Sequence, residues 1–132
     1  MSDSKPILAI VDDDEIFQII VRKMVQVTSA NWSIQTFKNG EEIFNHMRSS
    51  ASDLQALPDV ILLDINMPVM DGWMFLDEFD LIKDNLAKKT KIYLTSSSID
   101  SKDIGRARNH GTLLDYLIKP LSLEVIKRVT TI

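Results

Sequence analysis

The sequence predicts an α/β protein of three layers, with a five-stranded parallel sheet between two layers of helices. Short apolar runs of strand length alternate five times with segments whose apolar residues recur every three to four positions. Some of these strand runs are apolar at every position, as expected where helices cover both faces of a sheet. Alternation of this kind is typical of parallel sheets with right-handed crossovers.

Size and composition agree with one globular domain. The chain has 132 residues, of which 45% are hydrophobic and 26% charged, and we expect residues 1–132 to form a single domain. No apolar run approaches the ~20 residues that cross a bilayer, and the first six residues lack the apolar core of a signal peptide. We therefore expect a cytoplasmic protein without a membrane partner. The net charge of −4 disfavours direct binding of nucleic acid.

The first half of the chain contains two strand–helix pairs. A strand is predicted over Ile7–Val11 and a helix from about Asp14, its N-cap, to about Val27. The second strand, Trp32–Phe37, alternates polar and apolar side chains, which fits a sheet edge. Asn39-Gly40 turns the chain into the second helix. The inner face of that helix is expected to carry Ile43, Phe44 and Met47.

Three further strand–helix pairs follow. The strands are predicted over Val60–Leu63, Ile92–Leu94 and Tyr116–Ile118. The helix after Gly72 is expected to bury a stripe formed by Phe75, Phe79, Ile82 and Leu86. The helix after Asp100 has few apolar anchors, which is typical of a moving part or of a marginal surface helix. Ser122 is the expected N-cap of the last helix, whose inward residues are Val125, Ile126 and Val129.

Polar residues follow four of the predicted strands. The flavodoxin-like order 2-1-3-4-5 fits, because it places the alternating second strand at an edge. Ligands of such sheets bind at the carboxyl ends of the strands, where the strand order reverses, here between strands one and three. The residues expected at that edge are Asp12, Asp13, Asp64, Thr95, Ser96 and Lys119.

This set of side chains favours a metal and phosphoryl chemistry. Three carboxylates against one lysine leave unbalanced negative charge, which a divalent cation offsets. Oxygen ligands favour Mg²⁺, with Mn²⁺ as an alternative, over zinc. An Asp64 oxygen could attack a phosphoryl group in line, while Lys119 and the metal offset the developing charge. Thr95 could then donate a hydrogen bond to the attached group.

Four motifs in order resemble the receiver domain of two-component response regulators, in particular the single-domain chemotaxis type. The resemblance covers Ile7 to about Thr130. The motifs are Val11-Asp12-Asp13, Leu63-Asp64-Ile65-Asn66-Met67-Pro68 with Met70-Asp71-Gly72, Leu94-Thr95-Ser96, and Tyr116-Leu117-Ile118-Lys119-Pro120. Each motif alone is weak, but four at these spacings are highly specific.

The resemblance implies a role for each residue of the acidic site. Asp64 would be the phosphoacceptor, charged by a sensor histidine kinase or a phosphotransfer protein. Asp13 and Asp64 would hold Mg²⁺ together with the backbone carbonyl of Asn66. Asp12 would act mainly through metal-bound water.

The resemblance also implies a switch. Thr95 would be the hydroxyl that moves toward the phosphoryl group, and Lys119 its ionic partner. Tyr116 matches an aromatic residue whose ring turns inward when Thr95 shifts; an ordinary strand aromatic is the alternative. The Lys119–Pro120 peptide bond would be cis.

The favoured function is therefore a phosphorylation-driven signalling switch rather than an enzyme. It would signal through a downstream protein bound to the face formed by residues 100–130. One alternative is a Mg²⁺-dependent aspartyl-phosphate phosphatase, but that class predicts a second aspartate where the chain has Asn66. A flavin- or nucleotide-binding module, a receiver that signals without phosphorylation, and a receiver excised from a larger regulator are the others. The sequence names neither the kinase nor the target.

Overall fold

The computed structural model describes residues 5–131 and contains one sheet of five parallel strands. Their order is β2-β1-β3-β4-β5, which confirms the predicted fold. The strands are β1 (Ile7–Val11), β2 (Ser33–Phe37), β3 (Val60–Asp64), β4 (Lys91–Ser96) and β5 (Leu113–Ile118). The helices are α1 (Glu15–Thr28), α2 (Gly40–Ser49), α3 (Gly72–Ile82), α4 (Ser101–Arg108) and α5 (Leu123–Val129).

Two apolar layers hold the helices to the sheet. On one face, Phe17, Val21 and Val25 of α1 pack with residues of α5 against alternate side chains of β1 and β3. The other face carries the larger layer, built from α2, α3 and a single buried residue of α4, Ala107. Every residue of β1 and β3 is buried. The continuous apolar runs of these two strands are therefore explained by helices on both sides.

The predicted helix starts are confirmed by their caps. The Asp14 carboxylate accepts hydrogen bonds from the Ile16 and Phe17 amides. Asn39, Asp71, Asp100 and Ser122 each accept an amide hydrogen bond from the first turn of α2, α3, α4 and α5. These caps fix where each helix leaves the loop that follows a strand, and so they position the loops at the carboxyl edge of the sheet.

Several predicted boundaries were wrong. β2 begins at Ser33, and Trp32 lies buried just before it. α3 ends at Ile82 and a 3₁₀ turn follows, so Leu86 lies beyond the helix although it still packs against the core. β4 and β5 are longer than their apolar centres because pairing with neighbouring backbone does not require apolar side chains.

None of the helices within residues 5–131 is both long and apolar enough to cross a bilayer. Most of the N-terminal segment that was inspected for a signal peptide, residues 1–4, lies outside the described residues.

Candidate functional site

Strand register brings the predicted site residues to one edge of the sheet. Val11 pairs with Leu63, so Asp12 follows β1 beside the end of β3. Asp64 pairs directly with Thr95. Lys119 follows β5, and its amide donates a hydrogen bond of 2.8 Å to the Ser96 carbonyl. The expectation that these residues meet at one edge is confirmed.

Three carboxylates form a compact acidic cluster. Asp12, Asp13 and Asp64 each offer an oxygen, and these oxygens all lie within 4.8 Å of one another. Asp12 and Asp64 are buried, whereas Asp13 is exposed at the mouth of the site. The donors are all oxygen atoms from anionic groups, which is the chemistry that a hard divalent cation prefers. The cluster fits a magnesium ion.

Lys119 is the cation that reaches the cluster. Its Nζ donates a hydrogen bond of 2.6 Å to Asp12 Oδ2 and lies 3.4 Å from Asp64 Oδ1. The same Nζ lies 4.3 Å from the centre of the Phe17 ring. In this arrangement the lysine is bound more closely to Asp12 than to Asp64.

Burial gives Asp64 unusual acidity. Desolvation, and after it the charge of Asp12, raises the pKa of Asp64 from the ordinary 3.8 to about 6, although Lys119 opposes the shift. One lysine thus does not compensate two buried carboxylates. The site retains unbalanced negative charge, which is the condition that favours binding of a cation.

Thr95 is the second unusual group. The residue is fully buried, and its Oγ1 has no hydrogen-bond partner among the described residues. A buried hydroxyl without a partner typically costs about 1–3 kcal/mol. Because Thr95 is the register partner of Asp64, an acceptor attached to that carboxylate would lie on the same edge of the sheet as this hydroxyl.

The remaining predicted residues lie around this centre. Tyr116 is partly buried beside the core, and its hydroxyl donates a hydrogen bond of 3.1 Å to the Ser98 carbonyl. Asn66 is exposed in the loop that follows Asp64. The Lys119–Pro120 peptide bond is cis, as expected.

Gly72 allows α3 to begin directly against the acceptor residue. A Cβ added at Gly72 would lie 2.6 Å from the Asp64 backbone carbonyl oxygen. The Gly72 amide donates a hydrogen bond of 2.9 Å to the Ile65 carbonyl. A glycine is therefore required here by close backbone approach, not by its conformational freedom.

Two contacts of the site were not predicted from the sequence. The Gln18 side-chain amide donates hydrogen bonds to the carbonyls of Asp12 (2.7 Å) and Phe37 (3.3 Å), and so holds the end of β1. Phe17 lies against Lys119, although the sequence indicated only that it belongs to the inner face of α1. Its position three residues after the Asp14 cap, in the first turn beside the strand end, was the available signal.

Comparison with known proteins identifies the family. The model of the response regulator receiver domain matches residues 8–131. The chain belongs to this family. Receiver domains switch signalling responses through phosphorylation and interact with histidine kinases or phosphotransfer proteins and with downstream targets.

Individual relatives agree with this assignment. A probable methanogenesis regulatory protein of Methanothrix harundinacea is 28% identical, with 92% of this chain and 77% of the relative covered. A probable C4-dicarboxylate response regulator of Halalkalibacterium halodurans is 33% identical, and the chain spans only 48% of its length. A two-component response regulator of Cytophaga hutchinsonii has a similar structure, with a TM-score of 0.81, 26% identity and coverage of 96% of this chain and 94% of that one.

Proposed function

We propose that this receiver domain is a phosphorylation switch in which Asp64 accepts a phosphoryl group from a histidine kinase or a phosphotransfer protein. The observation that carries the proposal is the convergence of a buried Asp64, a cation-binding set of carboxylates, Lys119 and the unpartnered Thr95 hydroxyl. Each group matches a different requirement of phosphoryl transfer.

Asp12, Asp13 and Asp64 are the side chains that would hold Mg²⁺, with the Asn66 backbone carbonyl as a further ligand. When bound, the ion neutralises charge on the carboxylates and on the oxygens of the transferred group. Mn²⁺ takes the same kind of oxygen ligands and is an alternative.

The transfer replaces one bond by another at phosphorus. An Asp64 oxygen forms the new P–O bond in line, while the P–N bond to the donor imidazole breaks and its electron pair stays on the nitrogen. Lys119 exchanges its hydrogen bond to Asp12 for one to a phosphoryl oxygen. Thr95 donates its hydroxyl hydrogen to another. Both groups thus stabilise the charge that arrives on Asp64.

A signal leaves the site through the neighbouring face, residues 100–130. Movement of Thr95 toward the phosphoryl group would vacate space in the core, and we propose that the Tyr116 ring moves inward as its hydrogen bond to Ser98 breaks. A groove of about 370 Å³ between α4 and β5 is lined by Tyr116, Ile104 and Leu113 among others. A downstream protein bound there would sense the change.

In this proposal the protein is not an enzyme acting on separate substrates. Its chemistry is limited to its own phosphorylation and dephosphorylation. The experiment is incubation with acetyl phosphate and Mg²⁺, followed by mass measurement. We expect one acid-labile addition of a phosphoryl group on the wild type and on Asp77→Asn, which removes an exposed carboxylate of α3.

The same incubation should give no addition on Asp64→Asn. Labelling of Asp64→Asn at the wild-type level would contradict the proposal. Multiple turnover of small phosphate esters would instead favour the phosphatase alternative.

A further inference from the structure

The ammonium group of Lys119 has three neighbours, and only two of them carry charge. Asp12 and Asp64 lie 2.6 and 3.4 Å from Nζ, and the Phe17 ring centre lies 4.3 Å away. The Lys119 side chain is 17% exposed and Phe17 is 9% exposed. The contact between cation and ring is therefore largely shielded from water, which is the condition in which such contacts are strongest.

We propose that Phe17 is a positioning residue for Lys119 in phosphorylation of Asp64. The face of its ring keeps the ammonium beside Asp64 while the hydrogen bonds of Nζ pass from Asp12 to the phosphoryl group. This inference rests on the proposed function of Asp64. It adds a residue of α1 to a site otherwise formed at strand ends.

An aromatic ring suits this role better than an aliphatic or a polar side chain. Its negative face attracts a cation without direction, so the ammonium can turn against it. The ring offers no lone pair that would hold one of the three ammonium hydrogens. Leucine would exclude water equally well but would leave Asp12 as the closest attractive group, which is where Lys119 already lies at 2.6 Å.

The fold fixes the ring in place. The Asp14 carboxylate caps α1 and accepts hydrogen bonds from the Ile16 amide at 2.9 Å and the Phe17 amide at 3.3 Å. Phe17 is therefore held in the first turn, three residues from the cap. It packs on its inner side in the apolar layer shared by α1 and α5.

The test compares Phe17→Leu with Phe79→Leu, the same change at a buried aromatic of α3. Phe79 is 3% exposed and stacks on Phe75, with a ring separation of 5.7 Å, in the opposite apolar layer. At saturating acetyl phosphate and Mg²⁺, we expect the rate of Asp64 phosphorylation to fall about five- to thirtyfold in Phe17→Leu. Phe79→Leu should keep the wild-type rate, and Phe17→Tyr should restore it.

Two measurements separate positioning from support of the fold. In Lys119→Met, the further change Phe17→Leu should cause no additional loss of rate, because the partner of the ring is absent. Without acetyl phosphate or metal, the Lys119 Hε protons should show an upfield ring-current shift in NMR spectra. That shift should persist in Phe17→Tyr and disappear in Phe17→Leu.

Equal rates for folded Phe17→Leu and Phe79→Leu would overturn the inference, as would an unshifted Lys119 resonance in the wild type. If Phe17→Leu does not fold, Phe17→Met takes its place, and the wild-type NMR measurement is unaffected. Failure of wild-type Asp64 to accept a phosphoryl group would overturn the proposed function and this inference together. Normal wild-type labelling with no effect at Phe17 would overturn this inference alone.

Discussion

Asp64 pays for its position with an unfavourable charge. It is 6% exposed, and burial together with Asp12 raises its pKa to about 6 while Lys119 compensates only in part. Such a site stabilises the folded protein less when the carboxyl is ionised. The functional residue is therefore also a local source of instability.

The first prediction concerns this instability. Between about pH 4 and 6 the folded state binds more protons at Asp64 than the unfolded state, so its contribution to stability falls as pH rises through that window. Without divalent cations, Asp64→Asn should raise the free energy of unfolding at pH 7.5 by on the order of 2 kcal/mol. At pH 3.5 the gain should be absent, as measured by urea unfolding. An equal gain at both pH values would contradict the origin of the effect.

Thr95 gives the second prediction at this scale. Thr95→Val keeps the branched shape and removes the buried hydroxyl that has no partner among residues 5–131. We expect the unphosphorylated protein to become more stable by about 1 kcal/mol. Beryllofluoride, a mimic of the phosphoryl group, should bind the variant more weakly, as titrated by tryptophan fluorescence. Lower stability of Thr95→Val would indicate that the hydroxyl already has a partner.

At the scale of elements, α3 and α4 contrast sharply. α3 buries five residues and begins against the backbone of Asp64. α4 buries only Ala107, and its Arg106 guanidinium lies 4.2 Å from the Trp73 ring centre, which adds a contact to α3 at the helix surface. The weak anchoring predicted for α4 is confirmed. It leaves this helix the easiest one to displace.

Two glycine substitutions test this contrast, which is the third prediction. Gly72→Ala would place Cβ 2.6 Å from the Asp64 carbonyl, so we expect a loss of about 2 kcal/mol and impaired phosphorylation. Gly105→Ala meets no atom within 4 Å, so better helix propensity should stabilise the protein by up to about 1 kcal/mol.

Urea unfolding measures both variants, and hydrogen exchange should show greater protection confined to α4 in Gly105→Ala. Tolerance of Gly72→Ala without loss would contradict the close approach of α3 to Asp64.

At the scale of the whole molecule, the acidic site couples cation binding to folding. Its three carboxylates come from β1 and β3, together with the loop after β1, and they meet only in the folded chain. A cation that binds them therefore stabilises the folded state alone.

The fourth prediction follows from that coupling. Saturating Mg²⁺ should raise the free energy of unfolding by about 2–3 kcal/mol at a hundred times the dissociation constant, and raise the melting temperature accordingly. The gain should be lost in Asp13→Asn, whose exposed side chain is not part of the core. KCl of equal ionic strength serves as the control. Equal stabilisation by KCl would show general screening of the −4 net charge and no specific site.

The sequence by itself determined the fold class, the strand order and the edge at which the site lies. Apolar periodicity and helix caps are local properties, and parallel alternation leaves few topologies. The ends of strands could therefore be placed together without coordinates. The residues of the site were predicted for the same reason, because each one directly follows a strand.

Only the tertiary structure decided which of these groups contact one another. It placed Lys119 on Asp12 more closely than on Asp64 and against Phe17, and it left the Thr95 hydroxyl unpartnered. It also showed that Lys88, which the sequence suggested was a solvated lysine, instead binds the Leu57 carbonyl at 2.8 Å. Side-chain contacts of this kind join residues up to 107 positions apart, so they depend on packing of the whole chain and leave no local pattern.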